Sequence, residues 1–425
     1  MAHVAERHET YTTSFDAFRR TPAFGQGPLA DAREAAFGRF LAHGFPTTRE
    51  EEWKFTNVAP VAATPFVPAA AATPDRAALE PWLFADSSAA RIVVVNGRRH
   101  AALSSPQLPA GVTLRALTPG EVPAARAGAT PFVDLNGAFF EEAIVLEVAP
   151  NTIVTEPIDV LIVSAPGTMP TLVSPRLRIV VGGDSEVTIV ERYAGLGGQP
   201  SLTNAVTDVV VGPNARANHL KIQDEPLSAF HLASLFIRLD RSSTLISHAI
   251  TFGGRIARND IVAVLDGEGA ECTLNGLYIA TGESLVDTHT TIDHAKPHCP
   301  SHELYKGILA GKSRAVFNGK IIVRQDAQKT DAKQTNRALL LTDGATINTK
   351  PQLEIFADDV KCTHGAAIGQ LDDDALFYLR ARGISLGEAR HMLIEAFAGE
   401  VLDGIPVAPV RERLMQAMEE KLAGR

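Results

Sequence analysis

Gly182-Gly183-Asp184-Ser185, Gly212-Pro213-Asn214-Ala215, Asp240-Arg241-Ser242-Ser243 and Asp266-Gly267-Glu268-Gly269-Ala270 punctuate the middle of the chain. Gly311-Lys312-Ser313 and Asp343-Gly344-Ala345 repeat the recipe further on. Between these turns, starting near Ile144, lie short runs rich in Val, Ile and Thr, at 158–163, 177–181, 187–193, 206–211, 235–239, 261–265 and 319–323. Small and polar residues close tight turns and β-branched residues favour strands, so the segment reads strand, turn, strand. The last small residue of each turn, Ser185, Ala215, Ser243, Ala270, Ser313 and Ala345, gives spacings of 30, 28, 27, 43 and 32. A repeat at that period, with no helical pattern between strands, predicts the coils of a β-solenoid. The one long interval predicts an insertion at 287–301. Helices are missing where a parallel α/β fold needs its crossovers. A β-sandwich also uses short strands and Gly-rich turns and is the competing fold; the regular period favours the solenoid.

The flanks read as helical. Pro28 opens a segment in which Phe37, Phe40 and Leu41 recur at helical spacing, and Gly44 and Pro46 stop it. The Ala/Pro-rich stretch 59–81 reads as a linker. Near the other end Asp372-Asp373-Asp374 supplies an N-cap and an acidic first turn, and Gly383 ends that helix. Ser385 and Glu388 form a capping-box pair ahead of Ala389, Met392, Leu393, Ala396, Phe397 and Val401, with Gly404 and Pro406 as the stop. A last helix carries Val410, Leu414, Met418 and Leu422. The expected organisation is a helical region and linker over 1–80, a connecting α/β segment over 81–143, the solenoid over 144–370 and a helical domain over 371–425.

Composition narrows the function. The chain of 425 residues is 45% hydrophobic and 21% charged, ordinary for a folded protein. Its formal charge of −9 and pI near 5.8 argue against general attraction to nucleic acid, which needs a Lys/Arg surplus. Residues 1–10 lack the basic-then-apolar layout of a secretory signal. No run approaches the roughly 18 apolar residues of a membrane helix. Three widely separated cysteines, Cys272, Cys299 and Cys362, make no disulfide framework. In a reducing compartment they are expected as free thiols, open to metal or sulfur. The expectation is a cytoplasmic protein that binds neither nucleic acid nor membrane.

Three segments invite chemistry. Gly307-Ile308-Leu309-Ala310-Gly311-Lys312-Ser313 looks like a phosphate-binding loop but is one residue short between its glycines, and strands follow it instead of a helix. It reads as a solenoid turn. His289, His294, His298, Cys299 and His302 crowd the expected insertion, without any established metal-ligand spacing; a polar loop and a metal site both stand. In Pro351-Gln352-Leu353-Glu354-Ile355-Phe356-Ala357-Asp358-Asp359-Val360-Lys361-Cys362-Thr363-His364-Gly365, an extended chain puts Cys362 and His364 on one face. A thiolate and an imidazole together suit iron, and Lys361 is expected to favour the thiolate. Packing of Cys362 as a small buried apolar group is the other reading. Two ligands fall short of the usual four, so such a site must recruit others.

The stretch 350–366 closely resembles the signature of the SufB/SufD family of iron–sulfur cluster assembly proteins, in its SufD-type form. Leu376-Phe377-Tyr378-Leu379-Arg380-Ala381-Arg382-Gly383-Ile384 resembles a motif common to both branches, and Arg314-Ala315-Val316-Phe317-Asn318-Gly319-Lys320-Ile321, Lys329-Thr330-Asp331-Ala332 and the segment Gly44 to Asn57 around Trp53 fit as well. The likeness runs through nearly the whole chain. SufB-type chains carry Cys-Asp-Ser-Leu-Leu where this one has Asn336-Arg337-Ala338-Leu339-Leu340, and a His-Glu pair where it has His364-Gly365. The resemblance implies a right-handed parallel β-helix core flanked by helical regions, and a non-catalytic scaffold. It implies pairing with SufB through the β-helices and docking of the ATPase SufC on the C-terminal helical region. Leu376, Phe377, Tyr378, Leu379, Arg380, Arg382 and Gly383 would form that docking surface, although Leu376, Phe377 and Tyr378 equally suit helix–helix packing. Cys362 and His364 would meet transient iron or a nascent cluster at the SufB interface, with no cofactor tightly bound by this chain alone. Two rivals remain: a cytosolic β-helix enzyme acting on carbohydrate, and a metal-storage protein using the histidine-rich segment.

Overall fold

The computed structural model describes residues 2–83, 90–118, 121 and 128–423. Its centre is a parallel β-solenoid of two facing sheets. One sheet stacks Ala143–Val148, Arg176–Val181, Ser201–Val211, Phe230–Leu239, Ile256–Leu265, Leu285–His294, Arg314–Val323 and Thr346–Ile355. The other stacks Ala90–Val95, Ile158–Ser164, Glu186–Gly195, Arg216–Asp224, Thr244–Thr251, Glu271–Ala280, Pro300–Leu309, Asp331–Leu340 and Lys361–Gly369. The chain alternates between the sheets, so each coil is one strand from each, and strand order follows sequence order. Register partners in the first sheet step from Leu202 to Phe230, Ile256, Leu285, Arg314 and Thr346.

The long interval between markers is not an insertion. Leu285–His294 and Pro300–Leu309 are regular strands of consecutive half-coils. Ser185, Ala215, Ser243 and Ala270 lie where the chain passes from the first sheet to the second, whereas Ser313 and Ala345 lie at the opposite corner. The interval of 43 therefore spans one and a half coils. Turn geometry follows residue type at the first kind of corner: Asp184, Asn214 and Ser242 all sit at φ of 56–57°, the left-handed region that short polar side chains tolerate. Gly311, at φ 70°, serves the other corner.

The lumen is divided. Val187, Ile189, Val209, Val211, Ile237, Leu239, Leu265 and Ile292 fill one half with aliphatic side chains. The other half is polar. His219 Nε2 meets Glu191 Oε2 at 2.9 Å and its Nδ1 meets Ser247 Oγ at 3.1 Å, while Thr207 donates to Glu191 Oε1 at 2.8 Å. Burial alone would raise the Glu191 carboxyl, but His219 and Lys221 outweigh it and hold the group at about 2. Further along, tyrosine rings lie over glycines of the adjacent coil. A Cβ on Gly307 would come within 2.2 Å of the Tyr278 ring, and one on Gly276 within 2.1 Å of Tyr305. The first glycine of the phosphate-loop lookalike thus makes room for a ring, and the string is a strand end and a turn.

Helices cover both outer faces. Phe15, Phe37, Phe40, Phe132 and Phe139, from Ala2–Phe18, Pro28–His43 and Pro131–Phe139, pack with Leu202, Phe230, Ile256 and Leu285 of the first sheet. Ile394, Ala398, Val401, Leu414 and Met418, from Leu386–Leu402 and Ala408–Ala423, pack with Leu220, Ile250, Ile279 and Ile308 of the second. The stretch read as a linker is packed too: Phe66 and Leu79 are fully buried, and Val67–Pro68 adds a short parallel strand beside Thr171–Val173. Burying those apolar side chains outweighs the turn-forming tendency of the prolines around them. The two ends of the solenoid differ. One is finished by short antiparallel strands, Arg98–Arg99 and Val112–Ala116. At the other, Thr346–Ile355 and Lys361–Gly369 are edge strands, each paired on one side only.

Candidate functional site

Cys362 and His364 stand on the last strand, Lys361–Gly369, opposite Ala332 and Gln334 of the coil before. Strand alternation turns both toward the lumen, roughly 7 Å apart along the backbone. Among the described residues no further coil covers them; His364 is exposed and Cys362 half-buried. The strand is extended because its backbone pairs in parallel with Asp331–Leu340. Cys362 also packs beside Ile321, Val323, Ala332 and Ala357, which fixes its side of the strand.

Lys361 does not favour the thiolate. Its side chain leaves from the opposite face, as adjacent residues of a strand must. Burial pushes the Cys362 thiol up; a hydrogen bond with the Ala332 backbone opposes that, and Asp331 adds to it. The group is therefore a thiol until a metal or a partner displaces its proton. Cys272 and Cys299, expected to be open to metal or sulfur, are fully buried, and burial raises both. Among the described residues no cluster of three or more His, Cys, Asp or Glu side chains is placed to hold a metal ion. Cys362 and His364 offer an incomplete ligand set at an accessible rim.

The histidine-rich segment is dispersed by the coil. His294 is buried in the lumen with Nε2 at 3.0 Å from Ser301 Oγ, His302 is exposed on the next strand, and His298 takes φ 59° in the turn between them. His289 faces outward into a charged cluster that sequence reasoning missed. Its Nε2 lies 3.0 Å from Asp287 Oδ1 and its Nδ1 3.1 Å from Glu52 Oε2. Arg258 stacks on Trp53 at 3.7 Å from the ring centroid and donates to Asp287 at 2.6 Å. Burial would lower His289, but Asp287 and Glu52 outweigh it and lift the imidazole to about 9. This cluster fastens the Trp53 segment to the first sheet with its charges mutually satisfied. Only the interval of over two hundred residues between Glu52 and His289 hid it from the sequence.

The helix Asp373–Ala381 begins as its residues dictate, with the Asp372 carboxylate accepting from the backbone N–H groups of Asp374 and Ala375. Phe377 is 74% exposed and Tyr378 56% exposed, so neither is spent on helix–helix packing. Leu376 and Leu379 are half-buried, and Arg380 is exposed. Arg382 stacks on the Tyr378 ring at 3.3 Å. Gly383 takes φ 87°, the position where a helix stop needs glycine. Beside it, Arg382, Gly383, Ile384, Gly387, Glu388, His391 and Met392 line an open groove of about 620 Å³. No helix among the described residues is long and apolar enough to cross a membrane.

Comparison with known proteins agrees with this architecture. Residues 162–397 match the SufBD core domain of SUF-system iron–sulfur cluster assembly, and residues 5–160 match the SufBD N-terminal region. A SufBD-family iron–sulfur cluster assembly protein of Synechocystis is 34% identical, over 92% of this chain and 90% of its own length. The iron–sulfur cluster assembly protein SufD of Escherichia coli is 31% identical, over 91% of each chain. A SufBD-family protein of Mycobacterium tuberculosis is 33% identical over 71% of this chain and 76% of its own. With a parallel solenoid, helical flanks and both halves of the family pattern present, the chain belongs to the SufBD family of the SUF system for iron–sulfur cluster assembly.

Proposed function

We propose that this chain is the SufD-type scaffold subunit of a cytosolic SufBCD complex, without turnover of its own. The observation that carries the reading is the open end of the solenoid. Both sheets stop there in singly paired strands, Ile355, Phe356 and Ile368 are exposed beside them, and the incomplete pair Cys362 and His364 stands on the same rim. Unpaired edges and exposed apolar side chains together favour addition of another β-structure. A SufB-type β-helix is the partner proposed for that rim, where it would add the missing ligands for iron or a nascent cluster, the cargo of the system. The exposed Phe377 and Tyr378, with Leu376, Leu379, Arg380, Arg382 and Gly383 and the adjoining groove, form the proposed seat for the ATPase SufC. ATP hydrolysis then belongs to that partner, since the phosphate-loop lookalike here is a strand end and a turn.

The carbohydrate-enzyme alternative needs an open, carboxylate-lined face. Helices cover both outer faces, and Glu52, Asp260 and Asp287 on the first are tied to Arg258 and His289. Metal storage on the histidine-rich segment loses its site once His289, His294 and His302 point to different environments.

The deciding experiment is anaerobic co-expression with SufB- and SufC-type partners, followed by affinity purification. The expected result is one stable complex, in which His364→Ala keeps the subunits together but cuts iron or cluster yield roughly tenfold or more. A chain that purifies alone, or a His364→Ala complex with full yield, refutes the pairing and the ligand role respectively.

A further inference from the structure

Leu274, Glu303, Gln334 and His364 occupy the same register position on four successive strands of the second sheet, all turned toward the lumen. Glu303 and Gln334 are fully sealed, at 3% and 1% exposure. The Gln334 amide is fixed at one end, since its Nε2 donates to Glu303 Oε2 at 2.6 Å. It is also fixed in place by what faces it. Gly319, across the lumen, leaves just enough space, because a Cβ there would lie 2.2 Å from Gln334 Nε2. With Nε2 committed to Glu303 on the preceding coil, the other amide atom, Oε1, is buried and has no partner among the described residues. A buried carbonyl oxygen without a donor is costly, so a donor is called for. The register places one candidate on the next strand, whose backbone runs about 4.8 Å away: the imidazole of His364.

We propose that Gln334, oriented by Glu303, is the positioning residue for His364. In this arrangement one ring N–H of His364 donates to Gln334 Oε1, which sets the tautomer. The other ring nitrogen keeps its lone pair and faces outward at the open rim, where iron would arrive. Glu303 acts one step further back, holding the amide so that its oxygen, and never its NH2, meets the imidazole. The link to iron rests on the proposed role of His364 as a ligand; the tautomer itself does not.

The test uses the full-length, metal-free chain with ring-labelled histidine, reading the tautomer from ring nitrogen chemical shifts. His302, exposed on the outer face of the strand that carries Glu303, is the internal reference. The wild-type His364 ring is expected to favour one tautomer about fivefold more than His302 does, the bias that one net hydrogen bond supplies. Gln334→Leu, Gly319→Ala and Glu303→Leu should each erase the bias, whereas Glu303→Gln, which still offers an acceptor oxygen, should keep it. In the assembled complex, Gln334→Leu should weaken iron(II) uptake roughly 10- to 100-fold. A wild-type His364 ratio equal to that of His302 overturns the positioning role, whatever iron does. A biased ring in a complex whose iron uptake ignores His364→Ala refutes the ligand reading and leaves the positioning role standing.

Discussion

Glu303 is a carboxyl enclosed in the lumen, where desolvation outweighs the hydrogen bond it accepts from Gln334 and the nearby Thr290 hydroxyl, and its pKa is raised to about 7. The sign of the linked stability follows. Between the ordinary value of 4.5 and about 7 the folded chain holds a proton that the unfolded chain has released, so stability falls as pH rises through that window. Glu303→Gln removes the effect. Thermal unfolding should show the variant more stable than wild type at pH 8, by at most roughly 3 kcal/mol, and level with it at pH 4; equal transitions at pH 8 would show that the carboxyl carries no such cost. Cys362 and His364 could be picked out from the sequence because two residues on one strand share a face. Glu303 and Gln334 could not, since their meaning appears only when strands about thirty residues apart are laid in register. Advancing from His364 in steps of the coil period would have reached both.

Elements whose signals are local were legible, and those that depend on a neighbouring coil were not. The capping box of Leu386–Leu402 is present as read, with the Ser385 hydroxyl accepting from the Glu388 backbone and the Glu388 carboxylate accepting from the Ser385 N–H. Ser385→Ala should cost about 1 kcal/mol in chemical denaturation, and an unchanged midpoint would remove the cap from the stability of that helix. Turns with Gly, Asn and Asp gave the solenoid, and aliphatic strands of the first sheet were found by their Val and Ile. Most strands of the second sheet escaped notice. Arg216–Asp224 buries His219, Lys221 and Gln223, and Asp331–Leu340 buries Gln334 and Asn336, so their inner faces look like the surface of another protein. The helix Asp373–Ala381 makes the opposite display, with an aromatic pair left in water. Phe377→Asp should leave the melting temperature unchanged and abolish capture of the ATPase in a pull-down, because an exposed ring contributes to a partner and little to the fold. A large loss of stability instead would assign Phe377 to packing.

For the molecule as a whole the decisive feature is asymmetry along the solenoid axis. Helices pack on both broad faces, and among the described residues the sheets end in short antiparallel strands, Arg98–Arg99 and Val112–Ala116, at one end and in the full-length parallel strands Thr346–Ile355 and Lys361–Gly369 at the other. Ile368→Lys places a charge among those strands, a device by which natural edges avoid pairing. The isolated chain should unfold at its usual temperature while association with a SufB-type subunit, followed by size-exclusion chromatography, is lost; intact association would move the interface elsewhere. A stack of coils with two adhesive ends would propagate into a fibril, each copy recruiting the next. If only the end with the long parallel strands is adhesive, as proposed, growth stops after a single addition, and the product is a discrete pair whose seam is sealed from both sides.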